Sequence, residues 1–105
     1  MIISPGSRNA PLIQLFTRTG GFVCRSIVDE RSAGYVALGM ARQLNEPVAV
    51  VTTSGTAVLN LAPAVAEAFH QRLPLLILTA DRPLERIGVF NNQVIDQHAP
   101  FFSFS

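Results

Sequence analysis

The chain has 105 residues, a formal net charge of +1, 49% hydrophobic residues and only 14% charged ones. That length suits one domain, and a charge so close to zero makes no case for nucleic acid or an anionic membrane as partner. Globular proteins average about 25% charged residues, so part of this surface is expected to be covered.

All eight basic residues are Arg. Without Lys there is neither a Schiff-base lysine nor a Walker-type lysine. Arg presents a planar fork that suits carboxylates and phosphates. Cys24 is the single cysteine, so no internal disulfide and no cysteine-based zinc cluster can form. An intracellular, reducing compartment follows as the expectation. Met1-Ile-Ile-Ser-Pro does not read as a secretory signal. No apolar run approaches the roughly 20 residues of a membrane span.

In chain order, Met1-Ile-Ile-Ser4 reads as the end of a strand, shorter than the usual five or six residues or so. Ser4-Pro-Gly-Ser-Arg8 is then a strand-to-helix loop. Ser7 or Asn9 is expected to cap the helix, Pro11 suits its first turn, and Gly20-Gly21 stop it. Residues 22–28 form a second strand with Cys24 as a core residue.

The acidic pair Asp29-Glu30 opens the next helix, which ends near Asn45 with Pro47 beyond. Ala33, Ala37 and Ala41 recur at four-residue spacing and stack in one stripe, with Gly34 and Gly39 nearby. A stripe of such small residues lets another backbone come close. It suits either a helix pressed on its own sheet or a subunit interface with Glu30 at the edge.

Residues 47–52 are a third strand, apolar on both faces as in a parallel sheet with helices on both sides. Thr53-Ser-Gly-Thr56 turns into a third helix over 57–71. Residues 74–79 are a fourth strand. The alternation predicts an α/β fold with a doubly wound parallel sheet and right-handed crossovers. Beyond Thr79 the regular pattern stops, and both ends of the chain read as cut.

Each predicted strand ends in a polar loop: Ser4–Arg8, Asp29–Arg31, Thr52–Thr56 and Asp81-Arg82. A parallel sheet gathers all four on its carboxyl edge, where such folds bind ligands. Thr53-Ser-Gly-Thr56 suits an anion held by backbone N–H groups, or a plain cap by Ser54 or Thr56. The motifs G-x-S-x-G, G-x-G-x-x-G and G-x-x-x-x-G-K-[ST] are absent. Arg8 and Arg82 suit a carboxylate clamp or surface ion pairs. Glu30 is either a buried proton donor and acceptor or an exposed acid that complements the helix dipole. His70 and His98 have no partner at metal-ligand spacing, and no metal ligand is expected.

Taken together, Ser4-Pro-Gly-Ser-Arg8, Asp29-Glu-Arg-Ser-Ala-Gly34, the run from Pro47 through Thr53-Ser-Gly-Thr-Ala57, Leu78-Thr-Ala-Asp-Arg-Pro83 and Asn92-Gln93 resemble one family in order and spacing. It is the thiamine diphosphate-dependent 2-succinyl-5-enolpyruvyl-6-hydroxy-3-cyclohexene-1-carboxylate synthase family of menaquinone biosynthesis. The resemblance implies a thiamine diphosphate-binding fold, with residues 1–105 as a single, incomplete pyrimidine-binding domain, inactive by itself. The domain that holds the diphosphate and a magnesium or manganese ion, with its Gly-Asp-Gly…Asn motif, lies outside these residues.

The resemblance makes Glu30 the catalytic acid that bonds a ring nitrogen of the cofactor's aminopyrimidine. Thr53, Ser54, Gly55 and Thr56 would lie against the pyrimidine end. Ser7, Arg8, Arg82, Asn92 and Gln93 match positions on the substrate side, where 2-oxoglutarate is decarboxylated and its succinyl group added to isochorismate. Self-association as a homodimer or homotetramer and a cytoplasmic location are also implied. Asn91, where the family has Ala, and Leu84, where it has a second Pro, depart from the pattern without removing a catalytic group. The alternatives are the pyrimidine domain of an acetolactate synthase-like enzyme and a non-catalytic flavodoxin-like binding domain.

Overall fold

A computed structural model describes residues 1–80. It contains β1 (Ile2–Ile3), α1 (Ala10–Arg18), β2 (Arg25–Ser26), α2 (Glu30–Leu44), β3 (Val48–Thr52), α3 (Thr56–Leu59), α4 (Ala62–Gln71) and β4 (Leu75–Thr79). The four strands form one parallel sheet in the order β2-β1-β3-β4. The chain steps outward from β1 to β2, then returns past β1 to β3 and β4. Right-handed crossovers therefore put α1 on one face of the sheet and α2 with α3 and α4 on the other. The direction reverses between β1 and β3, which makes that gap the switch point of a doubly wound sheet.

The sequence explains α2 best. Asp29 caps it: Asp29 Oδ2 accepts from the Ser32 N–H at 3.0 Å and from the Ser32 hydroxyl at 2.7 Å. Asn45 closes it in the left-handed region, at φ 54°, a conformation Asn tolerates at a helix end. Ala33, Ala37 and Ala41 are fully buried, in one cluster with Ile2, Val48, Val50 and Leu61. The small-residue stripe is thus a helix pressed on its own sheet. The subunit-interface reading of that stripe is corrected: the three methyls are consumed inside the domain.

Three expectations need adjusting. The second strand is Arg25–Ser26 rather than 22–28, and Cys24 lies half-buried just before it rather than in the core. Among the described residues β2 is an edge strand paired only to β1, which offers two residues of ladder. The third helix is divided into α3 and α4 at Asn60-Leu61. Pro63 has no N–H for the carbonyl four residues back, and its ring crowds that carbonyl, so one continuous helix cannot pass through it.

Candidate functional site

The loop after β1 is tied down almost entirely by hydrogen bonds. Ser4, fully buried, donates its backbone N–H to the Val51 carbonyl at 2.9 Å and its hydroxyl to the Ile27 carbonyl at 2.7 Å. Asn9 Nδ2 donates to the Ser4 carbonyl, and the Gly6 N–H donates to Asn9 Oδ1, both at 2.9 Å. Asn9 occupies the N-cap position of α1 without capping it through its side chain. The expected cap by Ser7 or Asn9 is corrected accordingly. Ser7 emerges exposed and Arg8 half-buried at the sheet's carboxyl edge.

The loop after β3 meets that loop. A Cβ on Gly6 would sit 2.5 Å from Thr53 Cβ, closer than two such carbons approach, so only glycine allows this contact. Thr53, Ser54 and Gly55 are buried and Thr56 is exposed. The N-cap position of α3 is held by Gly55, at φ 77° and with no side-chain cap bond, rather than by the expected Ser54 or Thr56. That backbone conformation is open to glycine and strained for other residues. Because α3 has four residues, its dipole is that of a single turn. Beside this loop, Thr52 Oγ1 is buried with no hydrogen-bond partner among the described residues.

Glu30 is the first residue of α2 and is half-buried. It lies three, seven and eleven residues ahead of Ala33, Ala37 and Ala41, on the same helical face. The helix runs antiparallel to the strands, so Glu30 heads the buried stripe at the carboxyl ends of the strands. The adjacent Asp29 points its carboxylate elsewhere. The Ser32 hydroxyl, and then the Ser32 N–H, hold the Asp29 carboxyl below its ordinary value. Among the described residues the Glu30 carboxylate has no recorded side-chain partner. The structure therefore brings Glu30, Thr53–Gly55 and the Ser7-Arg8 loop to one edge of the sheet.

Arg82, Asn92 and Gln93 lie outside the described residues. Among the described residues no three His, Cys, Asp or Glu side chains cluster as metal ligands. No helix there is long and apolar enough to cross a membrane.

The family described as thiamine pyrophosphate enzyme, N-terminal TPP binding domain, matches residues 1–100. The chain belongs to this family. Its parallel four-stranded sheet with helices is consistent with that domain. Among curated relatives, the 2-succinyl-5-enolpyruvyl-6-hydroxy-3-cyclohexene-1-carboxylate synthase of Desulfotalea psychrophila is 56% identical over 92% of this chain and 18% of its own length. The synthase of the same name from Flavobacterium psychrophilum is 51% identical over all of this chain and 19% of its own length. That from Porphyromonas gingivalis is 52% identical over 99% and 18%. The resemblance read from the sequence is thus borne out. The chain spans about a fifth of the length of these relatives.

Sequence reasoning passed over Gly6, Asn9 and Thr52 as site-shaping residues. The Pro-Gly pair announces a turn but not its contact with Thr53. Nothing in the linear sequence reports that the Thr52 hydroxyl has no partner among the described residues.

Proposed function

We propose that this chain is the pyrimidine-binding part of a thiamine diphosphate-dependent synthase of menaquinone biosynthesis. That enzyme decarboxylates 2-oxoglutarate and adds the resulting succinyl group to isochorismate, a carbon–carbon bond-forming transfer. The observation that carries the reading is Glu30, which heads the buried face of α2 at the carboxyl edge with no side-chain partner among the described residues.

The donor set fits the cofactor's pyrimidine. A carboxyl group can both accept and give a proton at a ring nitrogen, and here it stands on a helix anchored by three buried alanines. When bound, thiamine diphosphate supplies a carbon nucleophile that adds to a 2-oxo acid and takes up the electron pair freed by decarboxylation. Glu30 holds the proton at the pyrimidine ring nitrogen and sets its tautomer. Thr53, Ser54, Gly55 and Thr56 form the wall against the pyrimidine. Ser7, Arg8, Arg82, Asn92 and Gln93 bind on the substrate side, where both substrates carry carboxylates that Arg forks suit.

In this reading residues 1–105 form one incomplete pyrimidine-binding domain. A magnesium or manganese ion belongs to the diphosphate site of a separate domain. The working enzyme is a cytoplasmic homodimer or homotetramer.

The test is Glu30→Gln in the full-length protein. Gln keeps the shape and loses the proton transfer, whose contribution is about 10²–10⁴-fold. Turnover is expected to fall about a hundredfold or more with the fold retained by circular dichroism. Near-normal turnover overturns the role of Glu30. Given 2-oxoglutarate, the enzyme is expected to use isochorismate as acceptor, and exclusive use of pyruvate overturns the substrate assignment.

A further inference from the structure

We infer that Asn9 is a positioning residue for substrate recognition, holding the Pro5–Arg8 loop so that Arg8 leaves the backbone at a fixed place on the sheet's carboxyl edge. The inference rests on the substrate-side role of Arg8 proposed above.

An N-cap Asn ordinarily accepts from the N–H of the second or third helical residue. The second helical residue here is Pro11, which has no N–H, and α1 has no side-chain cap bond. The Asn9 amide turns back instead. Its nitrogen donates to the Ser4 carbonyl and its oxygen accepts the Gly6 N–H, each at 2.9 Å.

Asn9 is fully buried, so these two bonds serve polar groups that would otherwise be stranded. They span the loop from both sides. Ser4 is itself fixed to Val51 and Ile27, and Gly6 is pressed on Thr53. Ser7 and Arg8 are the two residues between the Gly6 anchor and Asn9. Neither makes a recorded hydrogen bond or ion pair of its own among the described residues. Their placement depends on the Asn9 amide.

The experiment uses the full-length synthase with Arg8→Ala, Asn9→Ala and Asn9→Asp. The KM of each carboxylate substrate, kcat and the affinity for thiamine diphosphate are measured separately. Arg8→Ala is expected to raise the KM of at least one substrate. Asn9→Ala is expected to raise that same KM about tenfold, inside the roughly hundredfold loss that a misplacement of about 1 Å brings, with cofactor affinity unchanged. Asn9→Asp keeps the acceptor for Gly6 and loses the donor to Ser4, so a smaller rise in the same KM is expected.

A lowered melting temperature with KM unmoved would make Asn9 merely structural and overturn the inference. A parallel loss of cofactor affinity and substrate binding overturns it too. If Asn9→Ala does not fold, Asn9→Asp decides alone, and an unmoved KM overturns the inference. An Arg8→Ala enzyme with both KM values intact removes the Arg8 reading and the inference with it. Intact KM values in Asn9→Ala alone remove only the inference.

Discussion

The two faces of the sheet hold their functional residues by different means. On the α2 side, Ala33, Ala37, Ala41 and Leu61 seal Ile2, Val48 and Val50. Glu30 stands at the end of that sealed face. On the other side, Ile3 and Val51 are buried, but Leu76 is 53% exposed and α1 buries no residue completely. The loop on the α1 side is kept in place by the bonds of Ser4 and Asn9 instead. Close packing resists displacement in every direction and tolerates little change of volume. A hydrogen-bonded loop depends on a few specific atoms. The acid is thus located by side-chain volume, and the arginine by polar geometry.

Stability measurements should separate the two faces most widely. Leu61→Ala empties a fully buried site and is expected to cost about 2–5 kcal/mol in urea unfolding. Leu76→Ala, on the open face, is expected to stay within about 0.5 kcal/mol. Equal losses would break the comparison, because Leu76 would then be covered in the folded protein. Gly34→Ala comes next. Its new Cβ would meet Ala64 Cβ at 2.8 Å and Leu61 Cδ2 at 3.3 Å. The Ala64 methyl cannot withdraw and Leu61 is fully buried, so overpacking of about 1–3 kcal/mol is expected. A neutral Gly34→Ala would show that α2 can slide on α4, and the position of Glu30 would then not be set by packing.

The same contrast governs what was legible in the sequence. α2 declared itself through Asp29 and Asn45 at its ends, and β3 and β4 through unbroken apolar runs. These are local signals, each written in neighbouring residues. The alanine stripe was visible, but spacing alone does not say which surface lies against it. The length of β2 was hidden because an edge strand is only as long as its partner allows. Pro63 was visible and still passed over, since apolar residues continue on both sides of it. Glu30 was legible through its place at the start of α2, and its role through family resemblance. Asn9 was misread because its capping preference is local, whereas the bonds it makes depend on how the loop before it folds back.

The smallest effect expected lies one residue from the most important one. Asp29 is fully exposed, and its carboxyl is held below the ordinary 3.8 by the Ser32 hydroxyl first and the Ser32 N–H second. The folded state therefore favours the charged form. Its contribution is present above the unfolded value and is lost as pH falls through the lowered folded value. Ser32→Ala removes the hydroxyl and leaves the N–H. The Asp29 titration, followed by the NMR shift of its carboxyl carbon, should move upward, toward the ordinary value. The small stability advantage of Ser32 over Ala should fade in acid. Turnover in the full-length enzyme should barely change, because Glu30 is held by the packed face of α2 rather than by the Asp29 cap. A loss of turnover approaching that of Glu30→Gln would mean that the cap, not the buried stripe, locates the acid.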